Sequence, residues 1–211
     1  MKTEQWVNRR PLASRDRRWA RLAAAWLLRT PVAPNQISVF GIAISAIGAW
    51  AIATWGAPAG FLVGAVAIQL RLLCNMMDGM VAVEGERGSS DGPLYNEIPD
   101  RIEDTLFLVA FGWAARLFWL GFVAALLAMF TAYIRVLGGS FGLPQDFRGP
   151  MAKQHRLAAL TLGCLAGLVE NSIGPTHYSL QVTLVVVAFG SLWTAVRRTL
   201  MMSSQLASRQ P

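Results

Sequence analysis

The chain is expected to fold as an all-α integral membrane protein, with six transmembrane helices behind an N-terminal amphipathic juxtamembrane helix. Three observations predict this. Of its 211 residues 54% are hydrophobic and 15% charged, with a mean hydropathy of +0.41, whereas soluble domains carry about 25% charged residues. Apolar runs long enough to span a bilayer recur along the chain. Lys and Arg also segregate. Eight precede the first span, three flank a central loop, four flank the loop after the fourth span and three lie in the tail, leaving only Arg116 on the other side. By the positive-inside rule both termini and the central loop face the cytoplasm, across the cell membrane.

The elements follow in order. Residues 1–33 are rich in arginine (Arg9, Arg10, Arg15, Arg17, Arg18, Arg21 and Arg29), with Trp19, Leu22 and Trp26 at helical spacing. This suits a helix lying in the headgroup layer; a plain positive-inside anchor accounts equally for the charges. So long and basic a start before any apolar run predicts no cleavable signal peptide. Pro34 and Asn35 break the helix, and Asn35 suits the N-cap of the next. Nineteen uncharged residues, 37–55, form the first span, and Gly56, Ala57 and Pro58 turn the chain. The second span covers 60–77, with Arg71 as its single charge. The third helix is expected over 99–116, with Pro99 in its first turn. The apolar sequence from Leu106 to Leu137 is too long for one span, so it is split near Arg116, giving a fourth helix over 118–137. After a polar loop, 138–156, the fifth span covers 157–170 with a helical lead-in from Ala152, and the sixth covers 179–196. The domains are therefore a basic cytoplasmic segment, 1–33, a six-helix membrane catalytic domain, 34–198, and a cytoplasmic tail, 199–211. Gly48, Ala49 and Ala51 permit close helix packing. Cys74 and Cys164 lie in apolar runs, as small buried hydrophobes rather than a disulfide framework. The net charge of +7 is accounted for by topology, so nucleic acid is not an expected partner.

The stretch Asn75 to Asp104 is the one long acidic, Gly-containing interruption of the apolar sequence. Asn75 and Asp78 are three apart, and Asp100 and Asp104 four apart, so each pair shares one helix face. Two helix ends then aim oxygen ligands at each other, a donor set suited to Mg²⁺ or Mn²⁺. His and Cys are too scarce nearby for zinc. Separately, each pair could serve as a dipole or capping group; facing each other at the membrane boundary, they suggest a site. A pair of metal ions there would clamp a diphosphate and polarise its bond to phosphorus. Gly79 and Ala82 leave room for a ligand to approach the backbone.

These residues resemble the signature of the CDP-alcohol phosphatidyltransferases, D-x-x-D-G-x-x-A-R followed after a gap by G-x-x-x-D-x-x-x-D. The chain reads Asn75-x-x-Asp78-Gly79-x-x-Ala82-Val83, then Asn96-x-x-x-Asp100-x-x-x-Asp104. Pro34-Asn35-Gln36-Ile37 before the first span, and the basic juncture Gly149-Pro150-Met151-Ala152-Lys153 before the fifth, extend the likeness over most of the chain. The resemblance implies metal-dependent transfer of a phosphatidyl group from CDP-diacylglycerol to a small alcohol, with release of CMP. Asp78 and Asp100 would be metal ligands, with Asn75 beside them. Asp104 would be the general base and a further ligand. Gly79, Ala82 and Asn96 would line the CDP-lipid pocket, and a homodimer is implied. There are three departures: Asn75 lends a carbonyl oxygen but no charge, weakening the second metal site; Val83 replaces an arginine; Asn96 replaces a glycine, with a gap about four residues longer than usual before Asp100. Asp78, Asp100 and Asp104 keep the helical spacing, which favours an active enzyme over a fold that has lost turnover.

Arg135, Arg148, Lys153 and Arg156 fall near the same cytoplasmic face. They suit either of two duties, holding a phosphate on the acceptor or setting topology. The first would favour a phosphorylated polyol such as glycerol 3-phosphate or an inositol phosphate. Two rival functions are a membrane scaffold or lipid-binding protein, and a Mg-diphosphate-dependent prenyltransferase; the latter typically needs more spans and a longer aspartate motif.

Overall fold

The computed structural model describes residues 17–174 and 176–209; Lys2, Arg9, Arg10 and Arg15 of the predicted basic segment lie outside them. Among the described residues there are seven helices and no strand. They are α1 (Arg18–Leu28), α2 (Pro34–Trp55), α3 (Ala59–Glu84), α4 (Gly92–Ala114), α5 (Phe118–Ser140), α6 (Lys153–Ile173) and α7 (Tyr178–Ala207).

Five of these, α2, α3, α5, α6 and α7, are long and apolar enough to cross a membrane. The sixth predicted span, α4, falls short of that composition because its first half carries Glu97, Asp100, Arg101, Glu103 and Asp104. Those charges are mostly turned inward: Asp100, Glu103 and Asp104 are buried, as are Phe107, Leu108 and Phe111 further along the helix.

α1 forms where the Trp/Leu periodicity predicts it. Trp19, Leu22 and Trp26 are exposed on one face, while Ala20 and Ala24 are fully buried against Met76, Met77, Met80 and Val81 of α3. Arg87 ties the end of α1 to the next loop, donating to the carbonyls of Leu28 and Thr30 at 3.0 and 2.8 Å. The chain then restarts at Pro34, whose fixed φ suits a first helical position. Ala33 takes the N-cap place predicted for Asn35, and its N–H donates to Gln36 Oε1 at 3.0 Å. Asn35 lies inside the helix and donates to Ser89 at 3.2 Å.

Three boundaries differ most from expectation, one of them the end of α7, which runs to Ala207, eleven residues beyond the predicted 196. α3 continues seven residues beyond Met77 to Glu84, because its methionines and Val81 go on burying apolar surface under α1. α4 starts at Gly92, not Pro99; Pro93 occupies the first turn and Pro99 sits inside the helix. The sequence offers two prolines, and use of the earlier one adds the turns that carry Tyr95, Asn96 and Glu97. The linker between the two site-bearing helices thus shrinks to 85–91. The break near Arg116 is found as predicted. Arg116 adopts a left-handed conformation with φ 58°, and Leu117 N–H reaches back to the Gly112 carbonyl at 2.9 Å, a Schellman-type stop. α6 begins at Lys153, one residue after the predicted lead-in.

The core is built from α2 through α7. Ile52, Ile68, Phe107, Leu108, Phe111, Leu157, Leu160, Leu184 and Val187 are all fully buried in it. α2 packs on α3 and α4, α3 on α6, and α5 on α4 and α7. Small residues set the closest of these approaches: a Cβ on Gly48 would come within 2.3 Å of Ala67 Cβ. The Gly48 stripe is therefore used within the chain.

Candidate active site

The site is assembled where α2, α3, α4 and α6 meet at one end of the bundle. α3 contributes Arg71, Asn75 and Asp78 from successive turns of one face, as spacings of four and three require. α4 contributes Asp100, Glu103 and Asp104 on the same principle, and α6 contributes Lys153 and Arg156 from its first turn. Ser38 comes from the start of the second turn of α2.

Arg71 is the hub. It is fully buried. Its Nε donates to Glu103 Oε2, and its Nη2 lies 3.4 Å from Asp100 Oδ1 and 3.2 Å from Asp104 Oδ1. Arg156 donates to Asp104 Oδ2 at 2.5 Å and to the Met151 carbonyl at 3.2 Å. Lys153 Nζ bridges the two acidic helices, donating to Asp100 Oδ1 and, at 2.9 Å, to Asn75 Oδ1. The Asn75 amide nitrogen faces the Arg71 carbonyl and Glu103 Oε2 at 3.2 and 3.3 Å. Glu103 can sit this deep because Gly41 of α2 leaves space: a Cβ there would lie 2.6 Å from Glu103 Oε1.

Two features are unbalanced. Asp78 is 7% exposed, yet its oxygens accept only from Ser38 Oγ at 2.7 Å and its neighbour Gly79 N at 2.5 Å. Among the described residues no cation is ion-paired with it. Asp104 Oδ1 and Glu103 Oε1 are buried without a hydrogen-bond partner. Arg71 and Arg156 balance the charges of Glu103 and Asp104, but a buried carboxylate oxygen without a hydrogen bond is costly, so these atoms and Asp78 mark where a ligand would be accommodated. Among the described residues no group of three or more His, Cys, Asp and Glu is already arranged around a common metal position; most of the carboxylates are turned toward basic side chains instead.

Of the predicted site residues, the structure joins Asn75, Asp100 and Asp104 with Lys153 and Arg156, and Asp78 lies one turn beyond Asn75. Gly79 and Ala82 follow on α3, and Asn96 lies one turn before Asp100 on α4. The four basic residues expected together are divided. Lys153 and Arg156 go to the carboxylates, while Arg135 and Arg148 line a separate cavity of about 300 Å³ with Gln145, Phe147, Arg198 and Met201. Ion pairs connect the two. Arg135 holds Glu97 at 2.5 Å, Arg101 bridges Glu97 and Asp100 at 3.4 and 3.5 Å, and Arg135 Nη1 donates to Gln145 at 2.5 Å. At the mouth, Arg148 is largely exposed and pairs with Asp146 at 3.0 Å. Partial burial opposes ionisation of Asp146, but the N–H and guanidinium of Arg148 outweigh it and hold the carboxyl below the usual range.

Sequence reasoning missed Arg71, Glu103, Ser38 and Arg198. A signal existed for Arg71: it is the one charge inside an apolar run and stands four residues before Asn75, and an intramembrane charge is by default a candidate functional residue.

Six consecutive helices, five of them long and apolar enough to cross a membrane, oppose paired acidic residues from α3 and α4 at one end, and over most of its length the chain is similar to phosphatidylinositol phosphate synthases, which are CDP-alcohol phosphatidyltransferases. Phosphatidylinositol phosphate synthase of Mycolicibacterium smegmatis is 28% identical over 192 residues, covering 85% of this chain and 81% of that protein. The crystal structure of Mycobacterium tuberculosis phosphatidylinositol phosphate synthase with CDP-DAG bound matches with a TM-score of 0.72 at 25% identity, covering 85% of this chain and 91% of that one. The same enzyme in complex with manganese and citrate matches with a TM-score of 0.73 at 24% identity, over 85% and 87% of the two chains. No family model matches the chain.

Proposed function

We propose that the protein transfers a phosphatidyl group from CDP-diacylglycerol to the hydroxyl of a phosphorylated polyol, an inositol phosphate above all, releasing CMP in phospholipid synthesis. The observation that carries this reading is the opposition of Asp78 on α3 to Asp100 and Asp104 on α4 at the bundle end, in a chain similar to phosphatidylinositol phosphate synthases.

The donor set fits a hard divalent cation, since Asp78 is a buried carboxylate with no ion-paired cation among the described residues. Asp78 and Asp100 would hold Mg²⁺ or Mn²⁺, with Asn75 and Asp104 beside them. Such an ion, when bound, neutralises the diphosphate. Gly79, Ala82 and Asn96 would line the cytidine diphosphate site. Asp104 is steadied by Arg71 and Arg156 through its two oxygens, and its Oδ1 has no hydrogen-bond partner. That atom is the proposed proton acceptor. As the acceptor oxygen bonds to the lipid-side phosphorus, its proton passes to Asp104, the bond between phosphorus and the bridging oxygen breaks, and CMP leaves. The cavity beside Arg135, Arg148 and Arg198 would take the acceptor. It lies at the lower end of small-ligand volumes, and its guanidinium groups suit a phosphate.

The wider reading makes α4 the sixth span of a catalytic domain, 34–198, between a cytoplasmic basic segment, 1–33, and a cytoplasmic tail, 199–211. The segregation of Lys and Arg supports that orientation. The family resemblance favours a homodimer, which sedimentation in detergent would check.

The test is CMP release by purified protein from CDP-diacylglycerol with Mg²⁺ or Mn²⁺, across inositol phosphate, glycerol 3-phosphate, inositol, serine, choline and water. Inositol phosphate should support release above every other acceptor. Silence across the panel would end the transferase reading. In the same assay Arg148→Ala should raise the KM for the phosphorylated acceptor about tenfold, the loss of one exposed charge-assisted contact, leaving kcat and the KM for CDP-diacylglycerol unchanged. An unchanged acceptor KM would move the acceptor out of this cavity.

A further inference from the structure

We infer that Lys153 is a built-in cation of the active site, so that this protein holds one divalent ion where its family's signature provides for two. The inference rests on the transferase reading for the metal site and concerns what fills it.

The first signature aspartate is Asn75, and its amide is already committed. Its oxygen accepts from Lys153 Nζ at 2.9 Å, and its nitrogen faces Glu103 Oε2 and the Arg71 carbonyl. A neutral amide oxygen accepts from an ammonium well, but offers a divalent ion no charge. Lys153 Nζ also bonds Asp100 Oδ1, so one ammonium takes an oxygen from each of the two residues that would otherwise bridge to an ion between α3 and α4. Its side chain is only 12% exposed, which places the charge within the carboxylate group rather than at its rim. The position is set by the backbone: Ala152 is extended and α6 starts at Lys153, so the side chain enters the bundle from the first turn.

Charge balance leads to the same end. Asp78, Asp100, Glu103 and Asp104 supply four negative charges, while Arg71, Lys153 and Arg156 supply three positive ones. With the ion-paired Arg101, Arg135 and Glu97 counted too the group is neutral, so one divalent ion brings it to +2, which offsets the −2 of a diphosphate diester, while two would bring it to +4. Among the described residues Asp78 alone of the four acids has no basic group within ion-pairing distance, Lys153 acting on it only from farther off, so the side chains leave room for a single further positive charge. Asn75 and Lys153 thus act as a pair: the amide brings no charge for a second ion, and the ammonium takes the oxygens that the ion would have held.

The experiment is a Mn²⁺ titration of the full chain in detergent, followed by electron paramagnetic resonance, on wild type and on Asn75→Asp/Lys153→Gln. Wild type should bind one ion per chain with the spectrum of an isolated Mn²⁺. The double variant, which restores the carboxylate and removes the ammonium, should bind two with a spin-coupled spectrum. Two coupled ions in wild type, or none, would overturn the inference, as would a folded double variant that stays at one. Should the double variant fail to fold, the wild-type stoichiometry still decides. CMP release from the same wild-type preparation separates the two readings. One ion without turnover sinks the transferase and leaves the stoichiometry standing; turnover with two coupled ions does the reverse.

Discussion

Asp78→Asn should lower acceptor-dependent CMP release by about 10³-fold, about 4 kcal/mol of transition-state stabilisation, while the protein without metal stays folded. The two halves of this expectation have one cause. Asp78 is buried and its oxygens meet only Ser38 and its own helix's Gly79 N–H. With no cation ion-paired to it among the described residues, its charge is costly until something positive arrives. The amide of Asn keeps an oxygen for Ser38 and sheds that cost, so thermal unfolding without divalent ions should occur at the wild-type temperature or above it. Stabilisation by added Mn²⁺, which follows from binding to the native state alone, should disappear. A variant within tenfold of wild-type turnover would show that Asp78 serves α2–α3 packing through Ser38 and not the chemistry. A variant that unfolds easily without metal would show that the Asp78 charge is compensated in the native protein.

What the sequence made legible, and what it did not, divides by the range of the contact. Asp78, Asp100 and Asp104 were readable because a spacing of three or four on a helix decides which residues share a face. The stop at Arg116 and the start of α6 near Ala152 were readable because they depend on a few adjacent residues. The duties of Lys153 and Arg156 were not. A basic residue near the cytoplasmic boundary contributes to the topology count equally whether it faces water or a buried carboxylate. Only the packing of α6 against α3 and α4 separates Lys153 and Arg156, which turn to Asp100 and Asp104, from Arg148, which remains largely exposed. The start of α4 was missed for a local reason: Pro93 and Pro99 both suit a first turn, and nothing adjacent decides between them. Glu103 adjoins Asp104 in sequence, but its importance depends on Gly41, sixty-two residues away, leaving room for it.

Arg71→Met should be the most destabilising single change in the site, at about 3–5 kcal/mol, the range for removing one partner of a buried ion pair. Met fills much of the same volume, so the loss is of charge rather than of packing. Arg71 is fully buried, and the carboxylates of Asp100, Glu103 and Asp104 all lie within ion-pairing distance of it. Asp100 and Asp104 retain Lys153 and Arg156 when it is gone. Glu103 retains only the Asn75 amide, so most of the cost should sit there. Glu103→Gln in the Arg71→Met background should therefore recover stability, although Glu103→Gln alone lowers it. The coupling in a double-mutant cycle should reach about 1–3 kcal/mol, read from unfolding in detergent without divalent ions. Additive losses would mean that Arg71 is held chiefly by Asp100 and Asp104, and that Glu103 fills the space beside Gly41 without balancing its charge. A recovered double variant with CMP release still absent would separate the two duties of Arg71: balancing Glu103 for the fold, and orienting Asp104 for the proton it is proposed to accept.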